Sequence, residues 1–179
     1  KFDLAAARLS GMLSVYRLRR SNVLTSDPEF PLFSRVSGLQ RSQGVELEMH
    51  WRPVEGLDLD FAYAYIDGEY VEDSDVPAGT ALPNIPDHAV SAFGSYVVPR
   101  GSLAGFGANV GIAYNGGRSN FDAFAYEEQS PLLFLNEYVL VNTGLSYGFG
   151  GWEAQINVNN VFDERYVPDA CCLTRLTPC

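Results

Sequence analysis

No uninterrupted apolar run in this chain approaches the length of about 18 residues that a membrane-spanning helix needs, so a helical membrane protein is excluded. Helix formers are thin as well: methionine occurs twice, against 17 glycines and ten tyrosines, a balance that weakens helix interiors and suits pleated strands. The class that remains is all-β. Basic residues are scarce. Twelve Lys and Arg face 22 Asp and Glu, giving a formal net charge of −10, which argues against a nucleic-acid partner because phosphates demand clustered cations. The one basic gathering, Arg17, Arg19 and Arg20, is followed by Ser21 and Asn22 and reads as a solvated strand end. The three cysteines, Cys171, Cys172 and Cys179, sit at the end of the chain with no histidine near them, so no zinc or other metal site is expected. A small loop disulfide fits instead, and it points to an oxidising compartment. No Ser, His and Asp grouping, Gly-rich phosphate loop or cysteine-nucleophile context occurs, so the chain is not expected to be an enzyme or to hold a cofactor. Nor does the start look like a leader. Lys1-Phe2-Asp3 runs straight into a turn-like Leu4-Ala5-Ala6-Ala7, which predicts that a signal was removed or that the chain begins mid-protein.

What the chain does have is alternation. Stretches of about ten residues, apolar and polar by turns, are joined by connectors that are alternately short and long, the pattern of a membrane-spanning β-barrel wall. In the stretch at 152–159, Trp152, Ala154, Ile156 and Val158 share one face, while Glu153, Gln155, Asn157 and Asn159 share the other. Further strands are predicted at 8–24, 33–52, 57–70, 88–98, 103–118 and 137–147. The sharpest alternation sets Val45, Leu47, Met49 and Trp51 against Glu46, Glu48, His50 and Arg52. Tight turns are expected at 53–56, 99–102 and 148–151, with the long connectors, including 71–87 and 119–136, at the opposite strand ends. Trp51, Trp152, Tyr147 and Tyr96 fall beside the short turns, where an interfacial girdle belongs. A soluble β-sandwich also alternates, but it has little reason to segregate its connectors in this way.

Several motifs carry a resemblance. Arg41-Ser42-Gln43-Gly44-Val45-Glu46-Leu47-Glu48, then Leu82-Pro83-Asn84-Ile85-Pro86-Asp87-His88, then Asn157-Val158-Asn159-Asn160-Val161-Phe162-Asp163-Glu164-Arg165-Tyr166 resemble, in this order, the C-terminal part of TonB-dependent outer-membrane receptors. Arg20-Ser21-Asn22-Val23 with Asp27-Pro28 is similar to the ferric-siderophore branch. The resemblance covers nearly the whole chain. It implies an all-β fold in which residues 1–179 form about seven antiparallel strands of a larger, 22-stranded transmembrane barrel, with the plug domain, the TonB box and the final strand outside the chain. Such a piece would leave two unpaired edges in lipid and should not be stable alone.

By the same resemblance the function is TonB-dependent uptake of a ferric siderophore across the bacterial outer membrane. The implied partners are the TonB–ExbB–ExbD complex, engaged through the plug, and outer-membrane lipid and lipopolysaccharide. Another cargo, such as cobalamin, a nickel chelate or a saccharide, or a passive porin, is the alternative. The family's cysteine-containing last loop is similar to the segment from Tyr166 through Cys179, which implies a disulfide between Cys179 and either Cys172 or Cys171. The long-loop aromatics Phe121, Phe124, Tyr126 and Phe134 are the candidate substrate contacts, since aromatic faces suit flat chelating groups. Elsewhere plain readings are preferred. Glu46 and Glu48 read as a solvated inner wall, with Arg52 a candidate partner, and Asp58 and Asp60 read as solvated. His88 reads as a polar residue at a strand start, 82–88 as the return from loop to wall, and 157–166 as a loop-entry turn in which Asp163 caps backbone amides. The acidic loop carrying Asp67, Glu69, Glu72, Asp73 and Asp75 reads as solvated or as a binder of lipopolysaccharide-bridging cations.

Overall fold

The computed structural model describes residues 1–27, 29, 32–74, 76–120 and 133–167. Its strands are β1 (Phe2–Leu4), β2 (Leu9–Ser26), β3 (Ser34–Trp51), β4 (Leu57–Glu72), β5 (His88–Val97), β6 (Phe106–Asn115), β7 (Arg118–Asn120), β8 (Leu133–Leu135), β9 (Tyr138–Phe149) and β10 (Trp152–Val158). Eight of them make one antiparallel sheet in the order β1-β2-β3-β4-β5-β6-β9-β10, and β7 and β8 make a separate two-stranded ribbon. The seven expected strands are β2 to β6, β9 and β10. The turn-like run after Lys1-Phe2-Asp3 is a single 3-10 turn, Ala5–Ala7, and it folds β1 back so that Phe2 faces Gly11. That short strand was not expected. β6 is shorter than predicted, because the turn before it extends to Gly105, whose φ is +86°, and because Arg118 leaves the wall for the ribbon.

Register explains the two faces. One row runs Leu13, Leu47, Tyr63, Val90, Tyr114 and Val139 across six strands, and the next runs Met49, Phe61, Ala92, Ile112 and Val141. The adjacent positions point the other way and are small or polar: Ser14, Glu46 and Ala64 in one row, and His50 and Asp60 in another. A slip of one residue would exchange the faces, so the alternation itself fixes the pairing. Gly150 and Gly151 close β9 onto β10 with φ of +52° and +82°, the backbone signs of a mirror-image two-residue hairpin that follows strand twist.

The sheet has no core of its own. Among the described residues only Val76 and Leu135 are buried apolar side chains, while Val15 and Ile156 on the apolar face are 76% and 71% exposed. Trp51, Tyr96, Tyr147 and Trp152 are likewise exposed on that face beside the short turns. The connectors at one end of the strands, 5–8, 52–56, 98–105 and 150–151, have two to eight residues, while the two longest, 73–87 and 116–137, lie together with 27–33 at the other end. The segregation expected from the sequence is therefore present.

Candidate functional site

The loop end holds the side chains that are buried among the described residues, Val76, Leu135 and Arg118. Two long connectors are tied there by backbone bonds, from Asn84 N–H to the Ser119 carbonyl and from Gly116 N–H to the His88 carbonyl, each 2.8 Å. The ribbon then sorts its side chains by the two-residue period. Arg118 pairs with Leu135 on one face, and both are buried, at 6% and 7% exposure. Ser119 pairs with Phe134 on the other face, where Phe134 is 69% exposed. Arg118 donates through Nη2 to the Val167 carbonyl at 2.7 Å, and its guanidinium lies 5.5 Å from the centre of the Tyr138 ring. Tyr138 in turn meets Tyr166, with ring centres 4.5 Å apart. A buried cation that donates to a carbonyl and lies against an aromatic face fastens the segment after β10 to the start of β9.

The return segment behaves as its prolines require. Leu82 N–H donates to the Gly68 carbonyl and Ile66 N–H to the Asp87 carbonyl, so Pro83 and Pro86 occupy positions where no donor is called for. Leu82 and Ile85 then lie over Gly68, where a Cβ would fall 3.2 Å from Leu82. His88 opens β5 and is hydrogen-bonded through Nδ1 to the Tyr63 hydroxyl at 2.9 Å.

The turn after β10 is a loop entry, as expected, but its cap is Asn160. At φ +51°, the Asn160 side chain accepts from Glu164 N–H at 2.9 Å and donates to the Glu164 carbonyl at 3.0 Å, while its own N–H donates to Asn142 Oδ1 at 2.8 Å. The role given to Asp163 is thus filled three residues earlier; Asp163 instead donates its N–H to the Asn160 carbonyl.

Near the short-turn end, the polar face holds a second group of charges. Arg52 Nε donates to Asp58, and His50 Nδ1 lies 2.7 Å from Asp60, with its Nε2 3.9 Å from Asp58. Two expectations change here. Arg52 partners Asp58 rather than Glu46 or Glu48, and the two aspartates are paired as well as solvated. Continuing the β3–β4 register down from Trp51 opposite Leu59 brings those partners together, a signal the sequence already held. This group borders an open hollow of about 790 Å³ that is also lined by Lys1, Ser10, Glu48 and Phe93.

Of the four aromatic candidates for substrate contact, Phe134 stands exposed on the ribbon. Phe121, Phe124 and Tyr126 lie outside the described residues, as do Asp75 of the acidic loop and Cys171, Cys172 and Cys179 with their expected disulfide. The site residue that the sequence did not single out is Arg118. A lone arginine in a long connector carries no periodic signal, and its partners stand up to 49 positions away.

Comparison with known proteins places this architecture. The family model described as "TonB dependent receptor-like, beta-barrel" matches residues 1–161. The metal-pseudopaline receptor CntO of Pseudomonas aeruginosa is 35% identical over 169 residues, covering 93% of this chain and 23% of that protein. The ferrichrome outer membrane transporter/phage receptor of Escherichia coli is 29% identical over 159 residues, covering 86% of this chain and 20% of that protein. Among solved structures, the siderophore receptor PiuA from Acinetobacter baumannii superposes with a TM-score of 0.77 at 19% identity, over 94% of this chain and 24% of that one, which speaks to the fold. The chain spans 20–23% of the length of the two curated relatives named here.

Proposed function

The chain belongs to the TonB-dependent receptor-like β-barrel family, a family of the bacterial outer membrane, and from that premise we propose that it is the C-terminal part of a barrel whose whole protein takes up a ferric siderophore. In this reading the chain supplies three parts. The sheet is barrel wall, its polar face lines the lumen, and the loop-end cluster positions loops that close over the cargo. Energy reaches the cargo through TonB–ExbB–ExbD acting on a plug encoded elsewhere in the protein. The observation that carries the reading is the division of the sheet into an apolar and a polar face, with every long connector at one end. Phe134 supports a chelate cargo, because an exposed ring on a ribbon anchored by Arg118 offers a flat face to a flat ligand.

A second reading has its own support. The relative that is 35% identical over 93% of the chain is described as a metal-pseudopaline receptor, a name that specifies a metal chelate without limiting it to iron, and this supports the nickel-chelate alternative. The test is uptake of labelled ferric siderophores and labelled nickel or zinc chelates by metal-starved cells carrying the full-length gene, with and without a functional TonB. TonB-dependent entry of a ferric chelate, reduced by Phe134→Ala, supports the first reading. TonB-dependent entry of the other metal chelates alone supports the second. Entry of small solutes with no need for TonB overturns both and leaves a porin.

A further inference from the structure

The apolar face ends abruptly toward the loop end and gives way to charged side chains. On β4 the outward residues Leu57, Leu59, Phe61, Tyr63 and Tyr65 are succeeded by Asp67 and Glu69. At about 3.4 Å per residue and a tilt of about 40°, that apolar stretch rises roughly 20 Å, close to the height of a barrel's lipid-facing band. On β2 the same face reads Leu9, Gly11, Leu13 and Val15 and then Arg17 and Arg19; on β3, Val45 is flanked on its loop side by Gln43 and Arg41. Register sets these groups in two rows just beyond the band: Arg17, Gln43 and Asp67, then Arg19, Arg41 and Glu69.

Within these rows the acids are already engaged. Asp67 accepts from Gln43 Nε2 at 2.8 Å, and Glu69 pairs with Arg41 at 2.9 Å. Arg17 and Arg19 are exposed, neither has an acidic partner among the described residues, and Arg19 stands directly opposite Arg41. Glu69 already answers the charge of Arg41, so among the described residues the cations in these rows that have no carboxylate against them are Arg17 and Arg19. Two guanidiniums at i and i+2 on one face, at the level where hydrocarbon gives way to headgroups, match an anionic headgroup oxygen cluster better than they match open water.

We propose that Arg17 and Arg19, with Arg41 beside them, form a lipid-side clamp for a phosphate of the outer-leaflet glycolipid. The basic gathering near the end of the first long strand is then a docking site on the barrel's outer surface rather than a solvated strand end. Arg20, one residue on, has the opposite parity and faces the lumen side, so it lies outside the clamp. The proposal depends on the wall standing in the outer membrane and not on which cargo the receptor carries.

The test is native mass spectrometry of the full-length receptor titrated with bisphosphorylated lipid A, dephosphorylated lipid A and inorganic phosphate. The expected result is binding of the bisphosphorylated lipid that Arg17→Gln/Arg19→Gln weakens by roughly tenfold or more, as loss of charge-assisted bonds implies, while Arg20→Gln leaves it unchanged. Arg17→Lys/Arg19→Lys, which keeps the charge and guards against misfolding, should fall between them. Equal binding of the dephosphorylated lipid, equal binding by the double Gln variant, or full competition by inorganic phosphate at matched concentration overturns the proposal.

Discussion

The wall and the loop end of this chain are built on opposite principles. The wall is backbone ladder with almost nothing packed behind it: its apolar side chains stand exposed in a row, and its stability depends on the medium that covers them. The loop end holds the only buried side chains among the described residues, Val76, Leu135 and Arg118, and ties distant segments through specific bonds. The difference teaches where each kind of information sits. A wall needs only the right class of residue at every second position, whereas the loop end needs particular residues with particular partners.

The strongest way to break the comparison is to violate the wall's single rule. Ile112 points to the apolar face and Ala113, next in sequence, to the polar face. Ile112→Arg should destabilise the full-length barrel in lipid by about 2–4 kcal/mol, the cost of a cation near the bilayer midplane, while Ala113→Arg should stay within about 0.5 kcal/mol, as surface changes do. Denaturant titration in liposomes measures both. Equal effects from the two would mean that the faces are not lipid and water.

The loop end breaks differently. Arg118→Ala removes a charge-assisted bond and a cation–π contact from a buried site, a loss of about 2 kcal/mol. It should raise amide exchange over residues 163–167 by roughly thirtyfold and leave exchange in β3 and β4 unchanged. A global rise would show that the loop end and the wall are one cooperative unit.

The sequence revealed these two regions unequally, for a physical reason. Strands β2 to β6, β9 and β10 are long enough for a two-residue period to repeat, so their existence and faces could be read directly. β1, β7 and β8 have three residues each, too few to show a period. Ends went astray where a turn took residues from a strand, as at 103–105, or where a strand ran past its expected end, as β4 does to Glu72. At the loop end the sequence singled out Phe134, through its type and place, but not Arg118, because the contact from 118 to 167 joins positions that no local pattern links. Asp163 is read as a cap from the sequence, and Asn160 is not singled out, for a similar reason. Both types favour turns and a positive φ, and both residues have one, at +52° and +51°, but it is Asn160 whose side chain meets the Glu164 backbone and whose N–H is held by Asn142.

That choice gives the next test. Asn160→Ala removes two side-chain bonds to Glu164 and leaves a residue with a Cβ at positive φ, so about 1–2 kcal/mol should be lost locally, read as faster protease nicking after β10. Asn160→Gly should cost less, since glycine keeps the backbone sign for free. If glycine costs as much as alanine, the side-chain bonds and not the φ hold the turn.

The smallest effect is expected where the wall most looks like the loop end, at the polar-face group of Arg52, His50, Asp58 and Asp60. These partners are specific, as in the loop cluster, but the side chains of His50 and Asp60 are 37% and 53% exposed, so water screens the pair and its worth is below about 1 kcal/mol. Asp60→Asn should therefore leave the denaturant midpoint of the full-length barrel nearly unmoved. A shift as large as that of Arg118→Ala would mean that the group is desolvated in the whole protein, packed against something on the lumen side. The line between a solvated wall and a packed loop end would then have to be redrawn at the short-turn end of β3 and β4.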